Sequence, residues 1–329
     1  MEPFADAAAQ YAAFVTEAQG ASPCFEEWAR GVAEDPAVLA WLGTLPVAKQ
    51  QPNLVFAASR WHGVPAPGPY DALRTALLAD DGTIRDTILR RSTQTNEVGR
   101  LATLTPAFAA LADGRPLALL EVGASAGLCL YPDRYDYAWR TPGGVVRSVP
   151  GSGPLLTCDV TGEAPLPERA PAVAWRGGVD LNPLDVTDEN AVRWLRILVW
   201  PEHEDRRRRL DQAVAIARRD PPYLVRGDLL DELAALVERA AAAGPVVVFH
   251  SAVLAYLEPA GRDRFHRLMT DLVAHGSCHW VSNEATGVLP AVTATGPPVP
   301  EDAPTFVLGV DGRAVAWTHG HGRSMTWLT

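Results

Sequence analysis

Four acids and one histidine stand where apolar runs of this sequence end. Glu121 follows LALL, Asp180 follows VAWRGGV and Asp228 follows YLVRG. His250 and Ser251 close VVVFHS, and Glu284 closes CHWVSNE. A carboxylate so placed can accept from the hydroxyls of a ribose or from an adenine amino group. An imidazole can take the proton of a reacting hydroxyl or amine. Directly after Glu121, Gly123, Ser125 and Gly127 alternate within LALLEVGASAGL (117–128). Missing side chains let backbone approach a ligand closely, and a helix beginning there would offer unpaired N–H groups. The loop lacks the G-x-G-x-x-G spacing of dinucleotide folds, because Leu128 stands where the last glycine belongs, and it has no P-loop lysine.

These residues meet only if the chain builds a parallel sheet. Residues 117–120 are apolar without alternation, as in a strand buried on both faces, and a helix is expected after the bend. From Pro116 onward strands alternate with helices, with further strands near 173–180, 222–228, 245–251 and 278–284. An aromatic hairpin turning at Gly143-Gly144 falls inside an expected insertion over 131–170. A last hairpin pairs 306–310 with 314–318 across Asp311-Gly312, and the tail HGHGRSMTWL adds a strand. In an open α/β sheet the carboxyl ends of the strands line one crevice, where ligands bind. The first 115 residues read as helices, started at Ser22-Pro23, Asp35-Pro36 and Pro52 and stopped at Gly20 and Gly63. The expectation is a helical domain over 1–115 and an α/β domain over 116–329.

Other signals bound the function. A net charge of -10 argues against nucleic acid as the main partner. No apolar run approaches the ~20 residues of a membrane span, and MEPFADAAAQ has no secretory pattern, so a cytoplasmic protein with a small-molecule substrate is expected. The four cysteines show no C-x-x-C spacing and read as buried small hydrophobes. His319 and His321 would point to opposite faces of a strand, so no metal site is expected. The oligomeric state leaves no signature.

The pattern E-x-G-x-S-x-G over 121–127 resembles the first motif of class I S-adenosylmethionine-dependent methyltransferases, with Ser125 in place of the central glycine. The closing hairpin resembles the reversed last strand of that Rossmann-like fold. The stretch from Gly127 to Asp180 is longer than that fold's usual spacing, and the insertion absorbs the difference. The segments TQTNEVGR, LLEVGASAGL, DRYDY, GVDLNPLDV, RWLRILVWPE and VVVFHSAVLAYL and the closing HG resemble a bacterial family of uncharacterised proteins related to that fold. By composition alone TQTNEVGR is a helix cap made by Thr95 or Asn96, or a polar cluster closing over the bend. The resemblance implies that Gln94, Thr95, Asn96, Glu97 and Arg100 face the pocket.

Three readings follow. In the first, S-adenosylmethionine donates a methyl group to a small molecule. Gly123, Ser125 and Gly127 hold its methionine part by backbone, Glu121 anchors the loop, Asp180 binds ribose and Asp228 the adenine side. His250 is the first choice of base, then Glu284 or Tyr256. The second keeps the fold without the cofactor, with Arg100, Arg134 and Arg176 clamping an anionic substrate for elimination or cyclisation. The third is a serine hydrolase using Ser125 in GASAG, with Asp228 and His250 or His321.

Overall fold

The structure is a computed structural model that describes residues 6–147, 153–300 and 305–328, so residues 148–152 of the expected insertion lie outside it. Helices α1 (Ala7–Ala18), α2 (Pro23–Glu34), α3 (Pro36–Leu42), α4 (Pro52–Trp61), α5 (Tyr70–Leu78) and α6 (Thr83–Arg90) follow one another first. Their starts follow from local chemistry. The Ser22 hydroxyl accepts the Phe25 N–H, the Asp35 carboxylate accepts those of Ala37 and Val38, and proline occupies the first turn of each helix.

The chain then divides into two compact units, 1–95 with 187–208 and 96–186 with 209–329. The expected boundary near 115 is therefore displaced. Helix α8 (Glu189–Leu198) and the residues after it belong with the first helices. Arg60 donates to the carbonyls of Ile197 and Val199, Trp200 donates to Asn53, and Glu202 accepts from Ser22 and from the Cys24 N–H. Rings of Phe14, Phe25, Trp28, Phe56 and Trp200 fill that unit's core. Nothing in the sequence periodicity distinguishes α8 from a helix packed on the sheet.

The second unit opens with α7 (Leu101–Ala112) and β1 (Leu117–Val122), all six of whose residues are buried. Strands β2 (Asp136–Thr141), β3 (Gly144–Arg147), β4 (Leu155–Thr161) and β5 (Val173–Asp180) follow. After α8 and α9 (Glu204–Arg219) come β6 (Tyr223–Arg226), α10 (Leu229–Ala241), β7 (Val246–Ser251), α11 (Pro259–Ala274) and β8 (His279–Ala285). The chain ends in α12 (Pro290–Thr293), β9 (Phe306–Val310), β10 (Arg313–Thr318) and β11 (Ser324–Trp327). Among the described residues the eleven strands form one mixed sheet in the order β3-β2-β4-β11-β10-β9-β8-β7-β1-β5-β6. The five strands from β6 to β8 are all parallel, and β9 and β10 form the antiparallel hairpin, turned by Asp311 and Gly312 at positive φ.

Two expectations change here. The stretch 131–170 extends the sheet, for β4 pairs in parallel with the C-terminal β11 and with β2. No α-helix follows the glycine bend, only a single 3₁₀ turn, Leu128–Leu130. Pro132 has no N–H for a helical ladder and disfavours helical backbone at Tyr131, so the chain turns away to β2.

On one face of β1, Ala118, Leu120 and Val122 share a core with Leu233 and Leu236 of α10 and Phe265 and Met269 of α11. On the other side Phe249 of β7 meets Phe108 of α7 edge-on, ring centroids 5.1 Å apart. After β2–β4 the chain comes back to β5 beside β1, runs out to β6, then returns to β7 on the other side of β1. Strand order reverses at that point, where doubly wound sheets bind ligands.

Candidate functional site

The bend after β1 is held from all sides by the protein. The N–H groups of Gly123 and Ala124 donate to the Val179 carbonyl, that of Gly127 to Ala124, and that of Leu128 to the Asn96 side chain at 2.8 Å. Asp180 accepts the Ser125 N–H at 2.8 Å and the Asn182 N–H at 2.7 Å. A Cβ on Gly123 would lie 2.5 Å from Val253, and one on Gly127 2.8 Å from Pro222. The space left by the missing side chains is filled by neighbouring side chains, and the N–H groups expected to face a ligand have protein acceptors. The backbone cradle expected at Gly123, Ser125 and Gly127 is closed.

His250 is equally enclosed. Its ring is wholly buried; Nδ1 donates to Glu284 Oε1 at 2.7 Å, and Nε2 accepts the Trp280 indole N–H at 3.0 Å. Both nitrogens are engaged and one tautomer is fixed, leaving no lone pair for a substrate proton. Glu284 also accepts the N–H groups of Val253 and Leu254, so it holds the turn after β7. The base role expected for this pair gives way to a structural one. Tyr256, 71% exposed on the turn Leu254–Tyr256, has no comparable enclosure. Asp228 is exposed and accepts the Leu230 N–H as the N-cap of α10, at the outer strand β6. With His250 turned to Glu284 and Trp280, and Asp228 capping a helix, the Ser125–Asp228–His250 triad does not form.

A polar group does converge at the switch point. Arg100 donates through Nε to the Gly320 carbonyl at 2.9 Å and through Nη1 to the Ser251 carbonyl at 2.8 Å, while its Nη2 has no hydrogen-bond partner among the described residues. Glu121 lies within its field. The carboxyl is buried, Oε2 has no hydrogen-bond partner among the described residues, and burial pushes its pKa well above the usual range despite the Arg100 charge. A carboxylic acid kept neutral can donate a hydrogen bond or a proton.

His319 accepts the His321 N–H on Nδ1 at 3.0 Å, which places its own proton on Nε2. Burial and Arg323 hold its pKa below the ordinary histidine value, so it is a neutral donor near Glu97. Behind these groups, wholly buried Asn283 donates to the Ser251 hydroxyl and accepts from Thr318 at 2.6 Å. Among the described residues four other than glycine have positive φ, and two flank this point: Ser125 at +52° and Ala252 at +58°. Such backbone costs on the order of 1–3 kcal/mol and clusters at functional sites.

Residues 8–327 match the model of a family described as an uncharacterized protein conserved in bacteria (DUF2332). The chain belongs to this family. No curated protein and no solved structure matches it. The family match carries no link to methyltransferases, so that relation stands on motif resemblance and strand order alone.

Of the family segment TQTNEVGR, Gln94 and Thr95 fall in the first unit, and Asn96, Glu97 and Arg100 in the second. The cap expected from Thr95 or Asn96 comes instead from the next residue. Glu97 caps the turn Val98–Arg100 through the Gly99 N–H, and Asn96 and Arg100 reach the bend and the switch point. Arg176 is not an anion clamp. It donates to the Leu130 carbonyl and to Asp133 at 2.7 Å, stacks on Tyr131 and lies 3.5 Å from Asp220. Arg134 pairs with the same two aspartates.

The residues missed were Asn283 and Thr318, and His319 was weighed only as a metal ligand. His319 and His321 lie in a turn after β10, not a strand, and their rings are 5.6 Å apart. The two glycines of HGHG are the signal for that turn. No group of three His, Cys, Asp or Glu side chains among the described residues is arranged to hold a metal, and no helix among them is long and apolar enough to cross a membrane.

Proposed function

We propose that the sheet unit is an enzyme domain that binds a small anionic molecule at Arg100, Glu121 and His319, beside the glycine bend rather than in it. The observation that carries this is the buried, unpartnered Oε2 of Glu121 in the field of Arg100. Burying a polar atom without a partner costs about 1–3 kcal/mol, and the loss is recovered when a ligand supplies one. Arg100 Nη2 and the His319 Nε2–H are donors suited to an oxyanion, and neutral Glu121 is placed to act as general acid. Cofactor-independent elimination or cyclisation of an anionic substrate fits this donor set and the closed bend.

Methyl transfer from S-adenosylmethionine is the second reading, favoured by the strand order around β1 and by an acid, Asp180, at the end of the adjacent strand. Asp180 and Glu121 would hold that cofactor, and its chemistry would be donation of an activated methyl group. The packing of Val253 and Pro222 against the bend counts against it. Calorimetric titration with S-adenosylmethionine and S-adenosylhomocysteine, beside a panel of small carboxylates and phosphates, separates the two. The proposal expects heat from a member of the anion panel and none from the adenosyl compounds at millimolar concentration. Micromolar binding of either adenosyl compound reverses the order.

A further inference from the structure

The helical unit contains a guanidinium whose setting calls for an anion. Arg91, just past the end of α6, lies with its Cζ 4.4 Å from the ring centroid of Trp61 and 4.9 Å from that of Trp194. Arg193 covers Trp61 as well, at 4.1 Å, and donates to the Trp61 carbonyl at 3.1 Å. The two indoles meet edge to face, 6.0 Å apart. The strand of chain that carries Arg91 is fixed on both sides: Lys49 donates to its carbonyl at 2.6 Å, and the Trp194 indole donates to that of Ser92 at 2.9 Å. The Arg91 side chain is thus presented by a rigid backbone, half-buried.

No hydrogen-bond acceptor meets the Arg91 guanidinium among the described residues. Burial makes its charge harder to hold; of the charged groups around it, Asp188 favours that charge, and Arg193 and Arg90 oppose it. Arg90 is paired with Asp86, and the exposed Asp188 already caps α8. Here two guanidinium groups flank one indole, and among the described residues no carboxylate forms an ion pair with either.

We propose that Arg91 and Arg193, stacked on Trp61, form a binding site for a small oxyanion, the phosphate or carboxylate group of a soluble ligand. The planar fork of Arg91 suits two oxygens of such a group, and the exposed Arg193 closes it from the solvent side. The site shares no residue with the one at the switch point.

The test uses the full chain and tryptophan emission, titrated with sodium phosphate and separately with sodium citrate. Sodium chloride keeps the ionic strength constant. The expected result is a saturable change for at least one of the two anions, weakened about tenfold in Arg91→Gln and severalfold in Arg193→Gln. The arm that saturates identifies phosphate or carboxylate. Arg193 is exposed, so Arg193→Gln decides the matter should Arg91→Gln fail to fold. A linear response matched by chloride alone, or titrations of both variants that overlay the wild type, would overturn the proposal. A purely structural ladder predicts a lower melting temperature in Arg91→Gln with no anion response in the wild type.

Discussion

Replacing Glu121 by glutamine tests the electrostatics of the switch point. The side chain keeps its shape and loses its ionisation. In the folded protein burial holds the carboxyl protonated above the pH at which the unfolded chain ionises, near 4.3. A raised folded-state pKa means that the folded form binds the extra proton. Its stabilising contribution is complete below the unfolded pKa and declines as pH rises toward the folded value. Through that window the slope for one proton is about 1.4 kcal/mol per pH unit. For a unit of this size that is about 3 °C in melting temperature per pH unit. Differential scanning calorimetry of wild type and Glu121→Gln between pH 5 and 8 reads this directly. Subtracting one profile from the other removes every other titrating group. The expected outcome is a variant that gains on the wild type as pH rises from 5, until the folded-state pKa is passed. Parallel profiles would mean that Glu121 ionises normally in the fold, and the picture of a neutral acid beside Arg100 would be wrong.

Four further outcomes follow from the same geometry. Gly123→Ala places a methyl 2.5 Å from Val253 at a φ of +68° and should cost about 2–4 kcal/mol, with Val253→Ala recovering part of the loss in a double-mutant cycle by chemical denaturation. Glu284→Ala strips the acceptor from His250, Val253 and Leu254 and should destabilise the sheet unit by about 3 kcal/mol in the same assay. At Ala252, held at φ +58°, valine should cost about 1–2 kcal/mol and glycine less than about 0.5 kcal/mol, as thermal melts will show. Ser125 should resist fluorophosphonate labelling, since it is 4% exposed and the Ser125–Asp228–His250 triad does not form; stoichiometric labelling would restore the hydrolase reading.

Local signals were legible in the sequence wherever one short-range interaction decides a structure. The caps at Ser22 and Asp35 and the Asp311-Gly312 turn need only their near neighbours, and the unbroken apolar run of β1 needs only burial. Long-range choices were not legible. The expected insertion carries strands that pair with the last strand of the chain, and no residue type announces a partner so far away. The alternation Gly123-Ser125-Gly127 says that something comes close; it does not say whether that is a ligand or the side chains of Val253 and Pro222. His250 has the same ambiguity. A histidine at a strand end reads as a base until Trp280 and Glu284, from another strand, occupy both nitrogens. Arg176 read as a clamp because its partners Asp133 and Asp220 lie far from it in sequence.

The proposed function depends on where a ligand binds in the sheet unit. A thermal-shift panel of small carboxylates, phosphates, S-adenosylmethionine and S-adenosylhomocysteine, run on the wild type, Arg100→Lys and His319→Gln, addresses that most directly. At least one small anion should raise the melting temperature of the wild type, and both variants should lose the shift. Stabilisation by S-adenosylhomocysteine that is unchanged in both variants would contradict the proposal and return the ligand to the glycine bend.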